Sequence, residues 1–154
     1  MSDLRELYQQ VIMDHNKSPR NFKKIEQAKH QAEGHNPLCG DQCAIYLQIE
    51  NDRIQDIGFQ GSGCAISKAS ASIMTAVLKG STLQEAETFF NSFHKIVTGE
   101  ITPGTEETEG KNRKLAAFYG VRDFPARVKC ATLAWHTFKA ALKSESENQK
   151  VTTE

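Results

Sequence analysis

The sequence predicts an α+β fold, with an N-terminal helix, a small three-stranded antiparallel sheet, and then a cluster of about four to five helices. Three observations lead there. An apolar stripe at helical spacing runs through residues 3–15. Strict alternation over 43–50 is followed by a turn pair and a second β-rich run. After residue 64 the chain reads as a series of helical segments, broken by turns and one loop and followed by a polar tail. Strands and helices are grouped rather than interleaved, which excludes a doubly wound sheet.

The first helix spans Asp3 to about His15, with Ser2 or Asp3 as N-cap and Glu6 completing a capping box after Asp3. Leu4, Leu7, Tyr8, Val11 and Ile12 form its apolar stripe. The turn residues Asn16-Lys17-Ser18-Pro19-Arg20-Asn21 end it. Residues 23–34 are polar and read as a short edge strand leading into Gly34. From Cys43 to Glu50, Cys43, Ile45, Leu47 and Ile49 share one face and Ala44, Tyr46, Gln48 and Glu50 the other, the pattern of a half-buried strand. Asn51-Asp52 turns the chain into a return strand, Ile54 to Gln60, and Gly61-Ser62-Gly63 breaks the sheet.

Cys64 opens a helix over Ala65 to Lys79 that Gly80 closes. Its many Ala and Ser side chains let it lie close to its neighbours, as a central buried helix does. Thr82 and Glu85 make a capping box for a helix to about Val97. Residues 99–110, with Pro103, Gly104, Glu100, Glu106, Glu107 and Glu109, read as an exposed loop, and Lys111 to Tyr119 as a short helix stopped by Gly120. Pro125 suits the first turn of the last helix, whose apolar face is Val128, Ala131, Trp135, Phe138 and Leu142. Residues 1–143 thus form one domain and 144–154 a flexible polar tail.

Lys plus Arg and Asp plus Glu number 19 each, so the formal net charge is zero and the basic footprint of a nucleic-acid binder is missing. No apolar run approaches the roughly 18 residues that span a bilayer, and Met-Ser-Asp-Leu-Arg-Glu-Leu carries no apolar signal core. The expectation is a cytoplasmic protein whose four cysteines, Cys39, Cys43, Cys64 and Cys130, stay reduced, where thiols near other ligand-type residues mean metal or catalysis more often than disulfides.

The chemistry centres on His35-Asn36-Pro37-Leu38-Cys39-Gly40-Asp41. Residues i and i+2 of extended chain face one side, so Cys39 and Asp41 can address one point, while Gly40 permits a tight turn and Pro37 keeps the segment out of helix. Cys64, at the mouth of a helix, feels free N–H groups that favour thiolate. Cys130, about one turn into the last helix, has the basic neighbours Arg127 and Lys129, which act in the same direction. Three thiols and a carboxylate would make a Cys3Asp site suited to zinc or an iron–sulfur unit. The spacing is not that of paired CxxC motifs, and a cysteine also commonly fills core. That is the reading for Cys43, which shares parity with Ile45 and Leu47. His35 is the one spare ligand candidate; His15, His30, His94 and His136 read as solvated or capping.

The motifs N-P-L-C-G-D (36–41), G-S-G-C-A-I-S-K-A-S-A-S (61–72) and F-P-A-R-V-K-C-A-T-L (124–133), with Y-x-x-V-I-M-D-H-x-x-x-P-R-N at 8–21, resemble the IscU/NifU N-terminal family of iron–sulfur cluster assembly proteins over residues 3–143. Within it the chain resembles the SufU branch. Lys129 precedes Cys130 where scaffold-type IscU proteins carry His, and residues 100–121 supply the insertion that SufU-type proteins have between the middle and last helices. Cys43 departs from the family's usual apolar residue.

The resemblance implies an IscU-like fold and zinc held by Cys39, Asp41, Cys64 and Cys130. It further implies sulfur transfer from a SufS-type cysteine desulfurase, a pyridoxal-phosphate enzyme, to downstream iron–sulfur assembly proteins. In this expectation the chain is a zinc-dependent sulfurtransferase-type carrier rather than a stand-alone enzyme, and a desulfurase histidine displaces one protein ligand. Cys39, in a loop while Cys64 and Cys130 are anchored to helices, is the candidate sulfur acceptor. Three thiolates and a carboxylate around a dication leave a formal charge of about −2, which Arg127 and Lys129 would offset. The alternative is a scaffold that assembles a two-iron cluster on the same ligands.

Overall fold

The computed structural model describes residues 2–104, 110, 112–144 and 149–152. The N-terminal stripe forms α1 (Ser2–Lys17); the side chain of Asp3, expected to cap it, lies outside the described residues. Three antiparallel strands follow, β1 (His30–Asn36), β2 (Asp41–Glu50) and β3 (Arg53–Ser62). The β2–β3 turn holds both Asn51 (φ 53°) and Asp52 (φ 59°) in the left-handed region, which a two-residue type I′ hairpin requires and these residue types tolerate.

Three strand expectations change. The strand expected to end at Gly34 runs to Asn36, and it is interior rather than an edge: the sheet order is β3-β2-β1-β4, where β4 (Gln149–Thr152) pairs parallel to β1 from Ala32↔Gln149 to His35↔Thr152. The sequence from 144 on, read as a frayed tail, thus includes a strand. The inward positions of β1 are Ala32, Gly34 and Asn36, too small or too polar for an apolar alternation to show. Their size has a purpose, since a Cβ at Gly34 would overlap Thr137 Oγ1 and crowd Leu133, so the last helix lies directly on the strand. The second change concerns β2, which is covered on both sides. Cys43, Ile45 and Leu47 face the main core, while Tyr46 packs with Ile25 and Ala28 on the opposite side. Gly61, expected in the break after the sheet, is still paired with Cys43, and the strand ends at Ser62.

Helices α2 (Ala65–Leu78), α3 (Leu83–Val97), α4 (Asn112–Leu115) and α5 (Pro125–Lys143) complete the fold. Thr82 and Glu85 close the expected capping box, and Pro125 sits at the start of α5. The helix expected over 111–119 is instead α4 followed by a 3-10 helix, Ala116–Asp123, that runs through Gly120. Leu115, Phe118 and Val121 are all buried there, a spacing of three that suits three residues per turn better than 3.6. Glu106, Glu107 and Glu109 of the acidic loop lie outside the described residues; Glu100 is exposed.

The small side chains of α2 do let it sit at the centre: Ala69, Ser70, Ala71 and Ser72 are all buried. Ser70 Oγ donates to the carbonyl of Ala131 (2.5 Å) and accepts from Trp135 Nε1 (3.2 Å), tying α2 to α5. Trp135 stacks on Phe93 with ring centroids 4.6 Å apart. Among the described residues no helix is long and apolar enough to cross a membrane.

Candidate metal centre

The site assembles where β1 ends, β2 begins, and α2 and α5 start. Asn36 and Asp41 are paired across the β1–β2 ladder, so Pro37 to Gly40 form the turn between them, with Gly40 at φ 72°. Asn36 Oδ1 accepts from the backbone N–H of Leu38 (3.3 Å), the side-chain-to-backbone bond by which asparagine stabilises a turn. The turn lifts Cys39 to the surface.

Asp41, the first residue of β2, shares the inward parity of Cys43 and Ile45 and is wholly buried. A buried carboxylate needs donors. Its Oδ1 accepts from the backbone N–H of Cys64 (2.9 Å) and its Oδ2 from Asn36 Nδ2 (3.1 Å). Gly63 makes the first bond possible. A Cβ there would collide with Asp41 Oδ1, and the backbone at φ 143° is one that side chains rarely adopt.

Cys64 is the N-cap of α2, as its position before the helix indicated, and its Sγ accepts from the N–H of Ser67 (3.5 Å). Cys130 is fully buried in α5, with its Sγ 3.2 Å from Cys39 Sγ and 3.5 Å from Asn36 Nδ2. Cys39, Asp41 and Cys130 each bring one ligand-type atom within 4.8 Å of the other two. Cys64 is not within that separation of all three, although its thiol is close enough to Cys130 to act on it electrostatically.

The expectation that Arg127 and Lys129 favour thiolate at Cys130 is reversed. Burial pushes the Cys130 thiol up, and the neighbouring Cys39, Asp41 and Cys64 push it further. Arg127 is exposed and Lys129 half-buried, and among the described residues neither forms an ion pair. Taking a thiolate out of water therefore outweighs charges that lie outward along the helix. The donor set fits a soft dication for this reason: two sulfurs and a buried carboxylate lie within 4.8 Å of one another, with the Cys64 thiol near Cys130, and among the described residues the nitrogen donors bonded to these groups are neutral, so a bound cation would invert the acid–base balance.

Cys43 is buried in the core as expected, and burial raises its thiol to about 12. His35 is exposed on the side of β1 opposite Asn36 and is not a spare ligand. His15, read as solvated or capping, is buried, with Nδ1 2.7 Å from Ser72 Oγ. Asn36 is the site residue that sequence reasoning missed; the signal was an asparagine placed to bond two residues onward, ahead of Pro37 and the thiol.

A family model of the NifU-like N terminal domain matches residues 7–131. The chain is 37% identical to the iron–sulfur cluster assembly scaffold protein IscU of Streptococcus pyogenes serotype M1, over 99% of this chain and 92% of that one. It is also 37% identical to the zinc-dependent sulfurtransferase SufU of Bacillus subtilis, over 96% and 97% of the two chains. The crystal structure of FiSufU from Fervidobacterium islandicum AW-1, assigned as an iron–sulfur cluster assembly scaffold protein for the SUF system, superposes with a TM-score of 0.76 at 37% identity, covering 86% of this chain and 93% of that one. With the motifs, the fold and these relatives in agreement, the chain belongs to the IscU/NifU N-terminal family of iron–sulfur cluster assembly proteins, as a SufU-type member.

Proposed function

We propose that this protein is a zinc-dependent sulfur acceptor and carrier, which takes persulfide sulfur from a SufS-type cysteine desulfurase and delivers it to downstream iron–sulfur assembly proteins in the cytoplasm. The observation that carries this reading is the pairing of one surface thiol, Cys39, with a buried thiol and a buried carboxylate within 4.8 Å. Cys39, Asp41 and Cys130, joined by Cys64, would hold the ion; a sulfur has lone pairs for both a metal and the Ser67 N–H. Bound zinc would keep these sulfurs ionised at neutral pH and offset their mutual repulsion.

The chain's own groups do the rest. Asn36 and the Cys64 N–H fix both oxygens of Asp41. The Cys39 thiolate attacks the outer sulfur of the enzyme's persulfide. A new S–S bond forms on Cys39, the S–S bond to the enzyme's cysteine breaks, and that cysteine leaves as thiolate, so no outside oxidant or reductant is required. Arg127, exposed at the start of α5 with the half-buried Lys129 two residues on, would meet acidic groups of the enzyme.

Cys39→Ala should remove stimulation of a SufS-type desulfurase while the far-ultraviolet circular dichroism is unchanged; retained stimulation overturns the acceptor role. The scaffold reading is favoured by the names of the Streptococcus and Fervidobacterium relatives, and metal analysis separates the two. One equivalent of zinc in a colourless protein supports the carrier, whereas iron and sulfide in a brown one support the scaffold. Lys129 weighs toward the carrier, because the family resemblance gives scaffold-type IscU proteins a histidine at that place.

A further inference from the structure

The three thiols of the centre are not equivalent in what their sulfurs receive. Cys64 Sγ accepts an N–H from Ser67 and Cys130 Sγ accepts one from Asn36 Nδ2. Among the described residues Cys39 Sγ accepts none from nitrogen; its one hydrogen-bond partner is the Cys130 S–H, which ionisation removes. An N–H directed at a thiolate withdraws electron density and weakens both its basicity and its attack on an electrophile. The same Asn36 amide reaches Asp41 Oδ2, so one buried side chain touches two of the ligand-type groups.

We propose that Asn36 is the positioning residue that differentiates these thiolates, damping Cys130 and steadying Asp41 so that Cys39 is left as the sulfur that reacts. The inference rests on the shared metal centre proposed above. It explains the choice of Cys39 by electronic means as well as by exposure. Asn36 has two separable jobs, because its oxygen shapes the turn through the Leu38 N–H and its nitrogen serves the site.

The test uses the full chain loaded with Co2+, whose sulfur-to-metal charge-transfer bands report the electron density on the ligating sulfurs, in the wild type, Asn36→Ala and Asn36→Asp. Asn36→Asp keeps an oxygen for the Leu38 N–H but removes the donor. Both variants should shift the charge-transfer bands to longer wavelength and lower zinc affinity about tenfold in a chelator competition. Bands that stay in place in both variants, or Asn36→Asp behaving as wild type while Asn36→Ala does not, would overturn the proposal in favour of turn shaping alone. If Asn36→Ala fails to fold, Asn36→Asp alone decides between these outcomes. A wild-type chain that takes up no Co2+ sinks the metal reading itself, which separates that failure from this one.

Discussion

Cys130 Sγ and Cys39 Sγ stand 3.2 Å apart although 91 residues separate them in sequence. The gap exceeds a disulfide bond of about 2.05 Å by roughly one ångström, so a small movement of the surface turn can close it. Metal-stripped protein treated with diamide should lose two thiols to an intramolecular Cys39–Cys130 disulfide, seen by peptide mapping, and prior zinc loading should prevent it. Mapping of the bond to Cys43 instead would contradict the arrangement.

Asp41→Ala would remove the acceptor of the Cys64 N–H and one of the two acceptors of Asn36 Nδ2. The lost bonds should cost about 1–3 kcal/mol of stability, and zinc should exchange faster with a chromogenic chelator. An unchanged exchange rate would remove Asp41 from the ligand set.

Gly63→Ala places a methyl group against Asp41 in a backbone conformation already unfavourable to side chains. A loss of about 1–3 kcal/mol in chemical denaturation is expected, accompanied by zinc below one equivalent. Full metal content at wild-type stability would show that the loop simply moves aside.

Cys43→Ala should leave zinc content and desulfurase stimulation intact and reduce stability by about 1 kcal/mol through the small cavity it opens. The thiol is raised to about 12 by burial and packs among core residues, so it is neither ionised nor presented at neutral pH. A large fall in zinc content would move Cys43 from the core to the site.

His15 is held to about 4 by burial and by the nearby Arg20 charge. Its folded pKa lies below the unfolded value of about 6.5, so between these values the unfolded chain binds more protons and stability falls as pH is lowered. Urea titrations from pH 7 to pH 4 should show that slope, and His15→Gln should flatten it by up to one proton. An unaltered slope would mean other groups carry the acid response.

What the sequence made legible was whatever forms within a few residues. The Thr82–Glu85 capping box, Pro125 at a helix start, the Asn51-Asp52 turn and Cys64 as an N-cap are all decided by neighbours in the chain, and all are present. What failed depends on distant partners. The interior position of β1 needs β4, more than a hundred residues away, and its polar inner face gives no periodic signal. The burial of His15 needs Ser72, and the direction of the Cys130 shift needs the depth of α5, which the adjacent Arg127 and Lys129 disguise. Asn36 was hidden because an asparagine beside a proline already has a sufficient reason to be there as a turn residue.

The bare position at Gly34 reaches beyond local fit. Two residues past it the strand delivers Asn36, while the helix side chains seated on it, Leu133 and Thr137, come from the same helix that delivers Cys130. The crossing is thus a fulcrum: a single added methyl there would lever strand and helix apart and lengthen the reach from amide to sulfur, so the chemistry at Cys130 answers to a missing carbon two residues before Asn36.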